Sequence, residues 1–357
     1  MRRGWMVLGL TAGSLLLGSW TPVQAEVSGA LGTAALRCTI DDPRITESSG
    51  LVAAGGHLYT VNDGGHRLQV YLLAAPVRAG GAACRVVRTI TAAIDPYDVE
   101  DLARAADGTL WLADVGDNGH SRRTVALELL TEAGTGRIHR YTYPDGPHDA
   151  EALLLDRAGR PFIVTKEPLG NSGVYTPAGP PSTSRPTPLR RVTSLQFLPT
   201  GTPGGPVGMV GQVLVTGGAV SPDGTRVVLR TYTDAYLWRA DDGDVARALT
   251  SGRPTRIPLP ATPQGEAVAF SPDGRSLLTS TEGRPAAVHV VALGDLGQPV
   301  APAADPPPPK TTSAAPAGGA KPRSNVFDAL RALAVALGVA VILVWGGSKV
   351  ASRTRRG

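Results

Sequence analysis

The chain has 357 residues, 42% of them apolar and only 18% charged. That is enough apolar material for a large core, and it excludes a wholly disordered polymer. The formal charge is +5, but four cations fall in the last nine residues and lysine occurs only at Lys166, Lys310, Lys321 and Lys349. The body is therefore close to neutral, which excludes a nucleic-acid-binding stripe.

Residues 1–25 read as a secretory signal. Arg2 and Arg3 form a basic start, an apolar stretch runs from Trp5 to Leu17, and Val23-Gln24-Ala25 offers small residues for cleavage. The exported body, residues 26–296, holds both cysteines, Cys38 and Cys84. An even pair in an oxidising compartment predicts one disulfide, and neither cysteine has metal-ligand spacing.

The body repeats. ESSGLVAAGGHLYTVND (47–63), EDLARAADGTLWLADVG (100–116), EALLLDRAGRPFIVTKE (151–167), TGGAVSPDGTRVVLRTY (216–232) and EAVAFSPDGRSLLTSTE (266–282) share one shape. Each is a short strand, a Gly-containing turn and a second strand rich in branched residues. The spacing leaves room for two more strands per unit, and no amphipathic helix is expected between them. The expected fold is all-β: a β-propeller of about five four-stranded blades, with room for a sixth after Glu151. Pro285–Gly294 supplies a third strand to the last unit. Ala30–Ile40 is the expected fourth, which would clasp the ring and bring Cys38 against Cys84 in the outer strand of the first unit.

Beyond the body, residues 297–325 contain four consecutive prolines and read as an extended stalk. Residues 326–347 are apolar and read as one C-terminal transmembrane helix; Arg331 near its start can reach the interface. The tail, 348–357, carries Lys349, Arg353, Arg355 and Arg356, so the positive-inside rule places it in the cytoplasm and the body outside.

Acidic residues recur at both ends of the repeat. Glu47, Glu100, Glu151 and Glu266 begin four of the five stretches, with Thr216 in the other. Asp63, Glu167, Glu282 and, displaced by one from Gly116, Asp117 stand at the far ends, with Tyr232 in the fourth. In a propeller these positions meet at one mouth of the central channel, and such a carboxylate ring needs protons, donors or cations. It is either architectural, accepting backbone N–H groups, or a hard-cation site for Ca²⁺. Two similar loops, Asn62-Asp63-Gly64-Gly65-His66-Arg67 and Asp117-Asn118-Gly119-His120-Ser121-Arg122, lie at the same mouth. With Lys166 and Arg284 they offer His66, Arg67, His120 and Arg122 as candidate contacts to a small anionic ligand. No nucleophile elbow, HExxH, P-loop or dinucleotide fingerprint is present.

The segments ESSGL, YDVEDLA, DAEALL, VTKE and QGEAVAFSPDG resemble secreted bacterial propellers of the "esterase-like activity of phytase" group, and more distantly SMP-30/gluconolactonase-like six-bladed propellers. The Ser-Pro-Asp-Gly turns resemble WD40-like/TolB-type blades. The first resemblance implies a metal at the channel mouth held by Glu47, Asn62, Glu100 and Asp117; Thr216 and Tyr232 depart from that ring. Three functional classes follow: a ligand- or protein-binding module on a membrane stalk, a cation-dependent hydrolase of phosphate esters or lactones, and a structural envelope protein.

Overall fold

The computed structural model describes residues 34–74, 80 and 82–297, with the backbone of two short strands, Thr21–Pro22 and Glu26–Val27. The remaining signal residues, the stalk beyond residue 297, the C-terminal apolar segment and the basic tail lie outside the described residues. No helix among the described residues is long and apolar enough to cross a membrane.

The architecture is all-β and propeller-type. Its strands form successive antiparallel four-stranded units, each running from an inner to an outer strand. The first holds Ser48–Ala54, His57–Asn62, Leu68–Ala74 and Arg85–Ala92. The second holds Val99–Arg104, Leu110–Asp114, Val125–Leu130 and Gly136–Thr142. The third holds Ala150–Leu155, Pro161–Thr165, Asn171–Pro177 and Thr187–Gln196. The fourth holds Val215–Val220, Arg226–Thr231, Asp234–Arg239 and Thr255–Pro258. The last combines Gly265–Phe270, Ser276–Thr281 and Ala286–Ala292 with Ala35–Ile40 from the other end of the chain. That pairing places Val288 opposite Cys38, so the expected donated strand is the one observed.

Each inner strand packs on the inner strand of the next unit, and Gly265–Phe270 packs back on Ser48–Ala54. Successive side chains of a strand point to opposite faces, so each unit feeds two apolar layers. Tyr59, Val61 and Leu68 meet Val99, Leu102 and Leu112 between the first and second units. Leu51 and Leu58, on the other face of the first unit, meet Ala267, Leu278 and Val288 of the last. Three further clusters fill the remaining interfaces. Close approach is essential at the axis: a Cβ on Gly50 would collide with Leu102.

The disulfide Cys38–Cys84 is formed, with a Cα–Cα distance of 5.5 Å. One expectation fails locally. A short helix, Val245–Ser251, connects the third and outer strands of the fourth unit, its N-terminus capped by Asp244, which accepts from Arg247 N. It buries only Val245, Ala248 and Leu249, too short a stripe to show a helical period. The space after Glu151 holds the other three strands of the third unit and a long loop, 197–214. Thr200 and Thr202 tie that loop by donating to the buried Asp234 carboxylate at 2.7 and 2.8 Å.

Candidate functional site

In every unit the inner hairpin shifts register by one residue near its start. Such a bulge re-aims a side chain at the rim of a sheet. Counting from the bulge, Ser49, Glu100, Glu151, Thr216 and Glu266 are equivalent, and all five are buried. Two residues earlier stand Glu47, Asp98, Asp149, Leu214 and Gln264. The backbone agrees: Asp63 N donates to Glu47 O, Gly116 N to Asp98 O, Lys166 N to Asp149 O and Glu282 N to Gln264 O, at 2.9–3.2 Å. Glu47 is therefore level with Asp98 and Asp149, not with Glu100, which corrects the alignment made on residue type. The cause is the turn: Ala54 pairs with His57 across two glycines, whereas Arg104 pairs with Leu110 across a longer turn.

The first two units bring carboxylates together. Ligand oxygens of Asp63, Asp98 and Glu100 lie within 4.8 Å of one another. Asp98 and Glu100 are buried and Asp63 is 9% exposed. Gly116 makes room for them, because a Cβ there would collide with Glu100 Oε1 and stand 2.7 Å from the Asp98 carboxylate. Three oxygen donors on two units have the chemistry of a hard-cation site.

The opposite side is balanced by cations. Lys166 Nζ donates to Glu151 Oε1 at 2.6 Å, both side chains buried, and sits 5.3 Å from the centre of the Tyr232 ring. Burial works against the ammonium, but Glu151, with Tyr232, Glu266 and Asp149 behind it, holds its pKa well above the usual lysine value. Arg230, fully buried, donates to Ala267 O and Ser280 O at 2.7 and 2.8 Å. Burial lowers its pKa to about 10 against the pull of Glu266. The Asp101 carboxylate pins the axis, accepting from Leu102 N and Leu153 N at 2.8 Å and from Gly218 N at 3.1 Å. Burial nonetheless raises its pKa well above the carboxylate range.

No protein-family model matches the sequence, and no curated protein matches it. Solved structures do. A streptogramin B lyase structure aligns with TM-score 0.36 and 10% identity, over 70% of this chain and 66% of that one, just under two thirds of its length. Kuenenia stuttgartiensis hydrazine synthase aligns with TM-score 0.35 and 15% identity, over 66% and 68%. At these values the fold rests on the strand pairing described above, and nothing about activity follows.

The expected site residues divide. Glu47, Asp63, Glu100, Glu151, Glu266 and Glu282 belong to the inner hairpins, as the repeat implied. Asn62 closes a turn, its Oδ1 accepting from Thr46 N and Glu47 N and its Nδ2 donating to Arg44 O. Asp117 does likewise, accepting from Ser121 N and Arg122 N. Glu167 is drawn to His148 Nδ1 at 3.3 Å, and Lys166 takes the place level with Asp63. His148 also reaches Asp145 at 3.1 Å; the Glu167 bond and then Asp145, against burial, raise its pKa. Arg122 is buried against Asp114 at 2.9 Å and stacks 4.6 Å over Tyr97. Asp114 in turn helps burial to push the Glu128 carboxyl up to about 8. His120 is exposed in a left-handed turn, φ 46°. Arg284 pairs with Asp41 at 3.3 Å. His66 and Arg67 line a cavity of about 200 Å³ between the first two units. Asp98, Asp149, Asp114 and Asp101 were missed. The first two had a signal, since Asp-x-Glu occurs in both DVE (98–100) and DAE (149–151).

Proposed function

We propose that the chain is an extracellular five-bladed β-propeller, anchored by its C-terminal apolar segment, that serves as a binding module with a hard divalent cation at the channel mouth. The observation that carries this reading is the convergence of Asp63, Asp98 and Glu100 from two units within 4.8 Å. A cation relieves their mutual repulsion, so binding and folding are linked. The likeness of the repeat motifs to the esterase-like-activity-of-phytase propellers agrees with a metal at this mouth.

Calcium titrated into the purified full chain should give a saturable heat and raise its melting temperature. At about 100 times Kd the stabilisation is roughly 2.7 kcal/mol. Asp63→Asn with Glu100→Gln should remove both effects. An architectural cluster gives a different result: no heat at millimolar calcium, and equal destabilisation by the substitutions with and without it. That outcome would also remove the cation-dependent hydrolase. Anchoring is tested separately. A cysteine at Ser313 should react with an impermeant maleimide on intact cells and one at Ser352 should not; the reverse pattern ends the topology.

A further inference from the structure

The two similar mouth loops differ in one respect that has chemical consequences. In the second unit, Arg122 is neutralised by Asp114 at 2.9 Å and also donates to Gly116 O at 2.7 Å. Asp114 opposes Val99 where Asn62 opposes Ser48, so Asn62 is its counterpart in the first unit. The equivalence extends to hydrogen bonds: Asp114 accepts from Tyr97 N and Asp98 N, and Asn62 from Thr46 N and Glu47 N. An amide does the same structural work as the carboxylate but carries no charge. Arg67, the arginine of the first loop, stands five residues beyond Asn62 whereas Arg122 stands eight beyond Asp114, so its setting is its own. Arg67 is exposed to solvent.

Arg67 lines the cavity of about 200 Å³ between the first and second units. Val61, Leu68, Val99 and Leu112, themselves almost fully buried, form the apolar part of the lining with Tyr71, and Asn62 and Gln69 add polar groups. Tyr71 already spends its hydroxyl on Gln69 Oε1 at 2.9 Å and Arg44 O at 3.3 Å, so it presents mainly ring. His66, also at the cavity, stands 3.8 Å from Asp95, and Arg67 is the arginine of the lining. A guanidinium offers paired N–H donors suited to a planar carboxylate or a phosphate oxygen pair. Apolar walls beside one charged anchor are the usual composition of a small-molecule site.

We propose that this cavity binds a small organic anion, with its carboxylate or phosphate on Arg67 and a branched or aromatic body against Leu68, Val99 and Leu112. The proposal goes beyond the cation reading and does not rest on it. Phenylacetate and its uncharged amide, phenylacetamide, are suitable probes, titrated into the purified full chain in chelator so that no divalent cation takes part. Phenylacetate should bind saturably and severalfold tighter than the amide, the range open to a charge pair made by an exposed arginine. Arg67→Gln, on an exposed loop and so harmless to folding, should bring the two affinities together. Equal affinity of acid and amide for the native chain overturns the proposal. So does failure of either to bind at roughly 10 mM, or a preference for the acid that survives Arg67→Gln.

Discussion

Replacing Lys166 with methionine is expected to cost about 3–5 kcal/mol of folding stability, the usual consequence of stranding one member of a buried ion pair. Methionine keeps most of the side-chain volume, so a cavity contributes little. What is lost is the charge that faces Glu151 at 2.6 Å and stands over the Tyr232 ring. Glu151 would then remain buried near Glu266 and Asp149, the carboxylates that help to raise the lysine pKa. It must take up a proton or open the mouth to water. Glu151→Gln should be milder, since the amide oxygen still accepts from the ammonium. Lys166→Met with Glu151→Leu should recover most of the loss, because an apolar pair of similar size often replaces a buried ion pair at no net cost. Denaturant unfolding of the four proteins checks this. A loss below about 1 kcal/mol for Lys166→Met would show that water screens the pair as it does on a surface.

The balance at this mouth explains what the sequence could and could not reveal. Strand and turn chemistry is local: alternation, branched residues and turn glycines identified the repeat and a donated strand within Ala30–Ile40, observed as Ala35–Ile40, without reference to side-chain contacts. Ring positions are not local. Counting from Glu47 placed it level with Glu100, because residue type was matched while the first hairpin turn is shorter than the second. The bulges that set the true register leave no composition signature. Charge compensation is less visible still. Glu151 looked like one carboxylate among many, yet Lys166, its immediate partner, comes from the neighbouring strand; Arg230 reaches into the next unit through Ala267 O and Ser280 O. Asp101 could not be read at all. It lies beside Glu100 in the chain but accepts from Leu153 N and Gly218 N on two other units, a contact only closure creates.

Closure is also where the second large effect is expected. The strand Ala35–Ile40 completes the last unit from the far end of the chain, so the ring depends on one short segment staying paired with Ala286–Ala292. Cys38 lies within that segment, and Cys84 stands at the start of the first unit's outer strand. Cys84 N also donates to Thr39 O at 2.9 Å. The bond closes a loop with a sequence separation of 46, for which the chain-entropy treatment gives about 4 kcal/mol. Native protein should therefore unfold at a clearly higher denaturant concentration than protein reduced with a phosphine. The dependence of stability on denaturant should steepen on reduction, because the reduced unfolded chain exposes more surface. Cys38→Ala with Cys84→Ala should resemble the reduced protein, slightly weakened by lost packing, since both sulfurs are almost fully buried. Burial also predicts slow reduction: the reductant reaches the bond only when the strand detaches. The rate should then rise with mild denaturant well before global unfolding. Equal midpoints for oxidised and reduced protein would mean that strand pairing alone holds the ring and that the disulfide is dispensable for closure.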